Sequence, residues 1–420
     1  MQNPPSPGAT AAGRRLSCRF CGAGLIRTFV DLGSSPLAND YLRDEDLARM
    51  EAFYPLRVFV CDRCLLVQLP SAVTPERIFH EYAYFSSYST SWLAHAKAYA
   101  EMAVARFGLG RESLVVELAS NDGYLLQYFR EMGIPVLGIE PAANVAAEAA
   151  RRGIPTRVEF FNEESARAMR GEGLEADLIV ANNVLAHVPD LNSFVAGMRH
   201  LLRRGGTLTL EFPHLLQLIS LNQFDTIYHE HLSYFSFHTA REVMRAHGLD
   251  VFDVEGVPTH GGSLRLYVRH AGSGRIEGRV AEMEARERAA GLDGIDGYVS
   301  FEGRVWAAKR KLLEFLIRAR EGGKRLAGYG APAKGNTLLN YCGIRTDFLE
   351  YTVDRSPHKQ GLYLPGTRIP IRAPETVFET RPDYLLILPW NLCEEITKQM
   401  AGIRGWGGQF ILPIPEVKVV

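Results

Sequence analysis

The sequence predicts an α/β protein in three units: a small cysteine-framed metal-binding unit, a larger core of alternating strands and helices, and a second, smaller α/β unit. Three observations carry this. Four of the six cysteines stand in two C-x-x-C pairs near the N-terminus. From Ser113 onward, short apolar runs alternate with helical stretches. After a polar, helix-prone stretch from Arg275 to about Glu321, strand-like segments reappear between helical ones.

At 420 residues the chain exceeds the roughly 250–300 residues at which single cores stop growing, so several domains are expected. The 47 basic side chains nearly balance 48 acidic ones, which leaves no net field for a polyanion and argues against nucleic acid as a partner. No apolar run reaches the roughly 18–20 residues of a membrane span, and the opening MQNPPSPGATAAGRR lacks the apolar region of a secretory signal. A cytoplasmic protein with no membrane partner is therefore expected. That opening is poor in large apolar residues, so residues 1–16 are expected to be a disordered tail. The metal-binding unit is then placed at 17–75, the core at 76–270 and the smaller α/β unit at 271–420.

Cys18-Arg-Phe-Cys21 and Cys61-Asp-Arg-Cys64 each aim two thiolates at one point, and together they complete a tetrahedral sulfur shell for zinc. Gly22 and Gly24 relax the turn after the first pair, and Arg57–Val60 reads as a strand leading into the second, in the layout of a zinc ribbon. So small a unit buries too little surface alone, and a structural zinc contributes roughly 10–16 kcal/mol of apparent binding energy to folding. Four sulfurs leave no open position, so the metal's role is structural. The competing readings are a redox dithiol pair or two disulfides.

In the core, Leu114–Leu118 reads as a buried strand, Ala119–Gly123 as a tight loop and Tyr124–Glu131 as a helix. Such a loop lets backbone approach a ligand. The next strand, Val136–Ile139, ends on Glu140, whose carboxylate can accept from both hydroxyls of a ribose; the alternative is a carboxylate at a helix N-terminus. The unit continues with strand Asp177–Val180, the segment Asn182–Val188, a helix around Phe194–Leu202, a Gly205-Gly206 turn and strand Thr207–Phe212. A helix Thr239–His247 and strands Val251–Val257 and Ser263–Arg269 close it, with Gly261-Gly262 between the strands.

The loop E-L-A-S-N-D-G departs from G-x-G-x-x-G, and with G-I-E-P, A-N-N-V-L-A-H-V and the closing strand pair it resembles the class I methyltransferases, which carry a Rossmann-like, seven-stranded core binding S-adenosylmethionine (SAM). The resemblance implies that Glu117, Asn121, Asp122 and Gly123 border the methionine end, Glu140 the ribose, Phe161 and Asn162 the adenine, and Asn182 the sulfonium.

Further motifs narrow it. Tyr228-His229-Glu230-His231 places three ionisable residue types within four positions, which is costly to bury without purpose. The segment Glu81–Ser89 (E-Y-A-Y-F-S-S-Y-S) is dense in hydroxyls. With the two knuckles, Leu32–Asn39, His260-Gly261-Gly262-Ser263 and Gly328–Thr337, the ordered set resembles the C-methyltransferases that act on nucleotide-linked deoxysugars in natural-product pathways, over nearly the whole chain. One departure is Ala119, where glycine is expected.

That resemblance implies methylation of a carbon beside the ketone of a nucleotide-linked, dTDP-type 4-keto-deoxysugar, carbon three in the first instance. Such a carbon becomes nucleophilic only after losing a proton, so a base and an oxyanion stabiliser are both needed. By resemblance His231 is the base, neutral near pH 7 given a reference pKa of roughly 6.5. Glu230 is expected to orient an imidazole, while Tyr82, Tyr228 and His187 hold the keto-sugar and donate to the enolate. Tyr84 and Ser86 are further candidates for substrate contact. The plainer readings make His229 or His231 a zinc ligand, against an already full sulfur shell, or a satisfied core histidine, and have His187 simply pack under the SAM loop.

In the C-terminal unit, strand-like Arg325–Gly328, Leu349–Val353, Tyr384–Leu388 and Phe410–Pro413 alternate with helices. The turn Gly328–Lys334 offers backbone N–H groups and an ammonium to a diphosphate, without the G-K-[ST] of a P-loop ATPase. Lys334 and His260 are assigned to the substrate's diphosphate; the alternative is a degenerate dinucleotide fold kept for packing. Two other functions stay open: an O- or N-methyltransferase on a sugar or natural product, and a zinc-containing binding protein with an inactive SAM fold.

Overall fold

The computed structural model describes residues 16–74, 86–88 and 90–420. The expected tail falls, up to residue 15, outside the described residues, as do Tyr82 and Tyr84. No helix among the described residues is long and apolar enough to cross a membrane.

Three sheets organise the chain. The first has the order β1 (Arg27–Ser35), β2 (Tyr54–Val60), β3 (Val67–Gln68) and β9 (Ser233–Tyr234), with every pairing antiparallel. The second contains β4 (Val115–Leu118), β5 (Val136–Ile139), β6 (Thr156–Arg157), β7 (Ala176–Asn182) and β8 (Leu202–Pro213) in parallel. It is completed by the antiparallel pair β10 (Leu249–Val257) and β11 (Ser263–His270), in the order β10-β11-β8-β7-β4-β5-β6. This is the seven-stranded sheet that the resemblance to the class I methyltransferases implies, with the short β6 added to the strands that the apolar runs mark. β4 is buried at all four positions, as a strand covered by helices on both faces must be.

Gly205 and Gly206 do not separate a helix from a strand. β8 begins at Leu202, and pairing with β7 skips from Ala176↔Leu202 to Leu178↔Thr207, so the glycines lie in a bulge within one long strand.

The third sheet joins β12 (Leu326–Tyr329), β13 (Thr352–Val353), β14 (Ile371–Arg372), β15 (Tyr384–Ile387) and β16 (Gln409–Leu412) in parallel, with β17 (Lys418–Val419) antiparallel at one edge. Its order, β14-β13-β12-β15-β16-β17, reverses direction between β12 and β15. Ligands of open α/β sheets sit at the carboxyl ends of strands at such a switch.

The units do not pack as separate beads. β9 (Ser233–Tyr234) follows the Y-H-E-H block with only Leu232 between, and it pairs with β3 of the zinc unit, Val67↔Tyr234 and Gln68↔Ser233. A strand that follows the core's polar aromatic block thus extends the cysteine unit's sheet. Thr337 Oγ1 of the C-terminal unit donates to the Ile227 carbonyl at 2.9 Å, one residue before that block.

Candidate active site and zinc centre

The four sulfurs of Cys18, Cys21, Cys61 and Cys64 all lie within 4.8 Å of one another. Cys18 and Cys64 are 3.5 Å apart, as are Cys21 and Cys61. A disulfide needs about 2.05 Å, so neither sulfur pair is bonded as a disulfide. Four ligands at roughly 2.3 Å on a tetrahedron stand about 3.8 Å apart, and the cluster fits zinc. The knuckles are built alike: Gly22 N donates to the Cys18 carbonyl and Leu65 N to the Cys61 carbonyl, while Cys18 N and Cys61 N donate to Ala23 and Leu66. Gly22 and Leu65 both have positive φ, +74° and +61°. The second knuckle thus holds a leucine where the first uses glycine.

The zinc unit braces what lies beside it. Gln68 Nε2 donates to Cys18 Sγ at 3.1 Å, and Arg19, inside the first knuckle, spans the Val188 carbonyl (3.2 Å) and the Leu69 carbonyl (2.5 Å). Val188 follows His187, and Leu69 N donates to the Leu232 carbonyl at 3.0 Å, next to His231.

The loop after β4 turns through two non-glycine residues at positive φ, Ala119 (+55°) and Asn121 (+50°), and then Gly123 (+78°). Ala119, the departure from glycine, keeps the turn by adopting the backbone glycine would use, at about 1–2 kcal/mol. A Cβ on Gly123 would stand 2.8 Å from Ile154 Cγ1, so the loop is tight against its neighbours. Glu140 accepts from Asn121 N at 3.0 Å and Ala142 N at 2.9 Å, and burial raises its pKa. Glu117 is 1% exposed; burial holds its pKa well above the ordinary carboxylate value although the Tyr124 hydroxyl bonds it.

The side chains of Asn121 and Asp122 face the hydroxyl-rich segment. Asn121 Oδ1 accepts from Ser86 N at 2.9 Å, and Asp122 Oδ2 from Ser87 N and Oγ, with Arg152 at 3.5 Å. Ser86, expected at the substrate, is therefore tied by its backbone to this loop. Glu117 Oε2, Asp122 Oδ1 and Asn182 Oδ1 are buried with no partner among the described residues. Unpaired acceptors of this kind fit the ammonium and hydroxyl donors of SAM. Phe161 packs edge-on to Phe194 at 5.4 Å, and Asn162 caps the helix Glu163–Gly171 through Ser165 N, so a capping bond occupies the Asn162 carbonyl oxygen at the expected adenine edge.

The Y-H-E-H block divides its labour. His231 Nδ1 sits 2.8 Å from the Thr226 carbonyl and Nε2 sits 2.8 Å from the Tyr228 hydroxyl. A carbonyl only accepts, so Nδ1 carries the proton and Nε2 accepts from Tyr228. Burial, then the neighbouring His187, push the His231 pKa well below its usual value, which keeps the ring neutral. The His187 ring meets it edge-on at 4.8 Å, with its own pKa lowered by burial to about 4. The Glu230 carboxylate accepts from Asn39 Nδ2 at 2.6 Å, its backbone hydrogen-bonds the His187 imidazole, and the Thr226 carbonyl orients that of His231. His229 is a core histidine, 4% exposed, with Nε2 3.3 Å from the Pro55 carbonyl.

Lys334 lies in the first turn of the helix Ala333–Cys342, after β12. Its ammonium sits over the Trp390 ring at 4.7 Å and donates to Asn391 Oδ1 at 2.8 Å, so residues following β12 and β15 meet at the sheet's switch point. Trp390 Nε1 donates to the buried Asp225 at 2.7 Å, and a Cβ on Gly261 would stand 2.6 Å from its ring. His260 (φ +55°) stands edge-on to Trp92 at 5.1 Å, and burial, then the Lys334 charge, lower its pKa to about 4. Lys334 and His260 are thus brought to one seam between core and C-terminal unit. Sequence reasoning gave no role to Asn39, Thr226 or Trp390; only Asn39 stood in a quoted motif, Leu32–Asn39.

Three family models cover most of the chain: "Putative zinc binding domain" at residues 18–79, "Methyltransferase domain" at 92–254 and "C-methyltransferase C-terminal domain" at 258–415. The chain is 38% identical over 404 residues to C-methyltransferase NovU of Streptomyces niveus, covering 96% of each. Among solved structures, it is similar to magnesium protoporphyrin IX methyltransferase from Synechocystis PCC 6803 with bound SAH (16% identity, 43% of this chain, 83% of that chain, TM-score 0.35). Another is the CcbJ methyltransferase from Streptomyces caelestis (14% identity, 42% of this chain, 89% of that chain, TM-score 0.34).

Proposed function

The chain belongs to the SAM-dependent C-methyltransferase family, and from that premise we propose that its acceptor is a nucleotide-linked 4-keto-deoxysugar of the dTDP type, methylated beside the ketone at carbon three. Membership displaces the O- and N-methylation readings and that of an inert SAM fold. Bound SAM supplies an electrophilic methyl group and leaves as its thioether.

The protein's own task is to make a carbon nucleophilic. The observation that carries the reading is the chain of hydrogen bonds from Tyr228 through His231 to the Thr226 carbonyl. The Tyr228 oxygen takes the proton from the carbon beside the ketone as its own proton passes to His231 Nε2, and the C–H electron pair becomes the enolate. The Thr226 carbonyl then faces an imidazolium whose N–H it already holds, which stabilises the charge that forms. The lowered pKa of His231 makes that imidazolium release its proton readily after turnover.

Lys334 and Asn391 at the switch point, with His260 across the seam, support a diphosphate site beside this chain of bonds. Incubation with a dTDP-4-keto-6-deoxyhexose and SAM, followed by NMR of the product, tests the assignment. Both carbons flanking a 4-ketone are acidified, so the expected signal is a new C-methyl at carbon three. A methyl at carbon five would move the site, and one on oxygen would refute the chemistry.

A further inference from the structure

Asn183 lies immediately beyond β7, on the strand adjoining β4 at the carboxyl edge of the central sheet. Its φ is +53°, a left-handed backbone that glycine takes more easily than asparagine, and its N–H is pinned to the Glu211 carbonyl at 2.6 Å. Among the described residues neither Nδ2 nor Oδ1 of its amide finds a hydrogen-bond partner, although both are shut off from solvent. A protein fold rarely leaves a donor and an acceptor of one buried amide both unpaired. An unpaired, solvent-shielded amide on a residue whose backbone is pinned marks a group held ready for a ligand.

The surroundings say which ligand. The turn Leu185–His187 follows at once, Leu232 N donates to the Ala186 carbonyl at 2.7 Å, and the His187 and His231 rings touch at 4.8 Å. Asn183 therefore belongs to the segment that carries His187 and packs against His231. Loss of the carbon-bound proton sends the carbonyl π pair onto oxygen while a carbon–carbon double bond forms. A fixed N–H aimed at that oxygen binds the enolate more strongly than the ketone.

We propose that Asn183 binds the acceptor, with Nδ2–H donating to the ketone oxygen as it becomes an enolate and Oδ1 accepting from a neighbouring sugar hydroxyl. The assignment rests on the C-methylation of a keto-sugar argued above.

The test follows solvent-deuterium incorporation beside the ketone of a dTDP-4-keto-6-deoxyhexose, with SAM omitted, in wild type, Asn183→Gly and the near-isosteric Asn183→Asp. Both variants should exchange and methylate roughly 10²–10³-fold more slowly, the scale for losing one oxyanion donor. SAM affinity by calorimetry should be unchanged. Asn183→Gly should hold or raise its Tm, because glycine relieves the left-handed strain and removes the unpaired amide, whereas a packing residue would lower it. Wild-type exchange rates in both variants would overturn the proposal, as would lost SAM affinity with exchange intact, which would give the amide to the cofactor. A wild-type protein that neither exchanges nor methylates carbon would overturn the keto-sugar chemistry itself, and this assignment with it.

Discussion

The Tyr228 hydroxyl donates to His231 Nε2 at 2.8 Å, so in the proposed relay that nitrogen is reached through a phenol. Tyr228→Phe removes the relay but leaves the imidazole and its Thr226 bond. Exchange of the acceptor's proton should slow by roughly 10²–10⁴-fold, the range for general base catalysis, as measured by deuterium incorporation. Exchange at the wild-type rate would mean that Nε2 meets the substrate directly.

The zinc unit is predicted to act on stability and on the site by separable routes. Cys61→Ser leaves three sulfurs and should lower folded yield and zinc content together, read by metal analysis of purified protein. Arg19→Lys keeps all four sulfurs but cannot span the Val188 and Leu69 carbonyls. It should retain full zinc while turnover falls roughly 10- to 100-fold, the effect of a small displacement of catalytic groups. Full turnover in Arg19→Lys would show that the knuckle does not position the histidines.

Glu140 closes the loop after β4 by accepting from Asn121 N and Ala142 N, and its remaining lone pairs suit a ribose. Glu140→Gln should weaken SAM binding by roughly 10- to 150-fold in calorimetry, since a charge-assisted hydrogen bond contributes about 1.5–3 kcal/mol. An unchanged Kd would move the ribose elsewhere.

How much of this was legible in the sequence follows physical range. The cysteine pairs and the strand–loop–helix around Gly123 are local patterns, and they read correctly. The bond from Asn39 to Glu230 and that from Trp390 to Asp225 join residues 191 and 165 apart, which no local spacing encodes. Leu65 and Ala119 adopt backbones normally signalled by glycine, so turn chemistry was masked there. The Gly205-Gly206 pair misled in the opposite sense, because a bulge and a turn use the same residues.

Burial lowers the His187 pKa from 6.5 to about 4. The unfolded chain therefore binds more protons than the folded one between those values. The histidine's contribution to stability is full above pH 6.5 and is lost as pH falls toward 4. In Tm measurements across that window, wild type should lose stability faster than His187→Asn, which cannot titrate. Parallel curves would place His187 in an environment that tolerates its charge.

The central claim, that the acceptor's proton ends on His231, is tested most directly by deuterium exchange beside the ketone in His231→Asn without SAM. The variant should keep zinc, fold and SAM affinity while exchanging roughly 10²–10⁴-fold more slowly than wild type. Exchange at the wild-type rate, with methylation still lost, would contradict it.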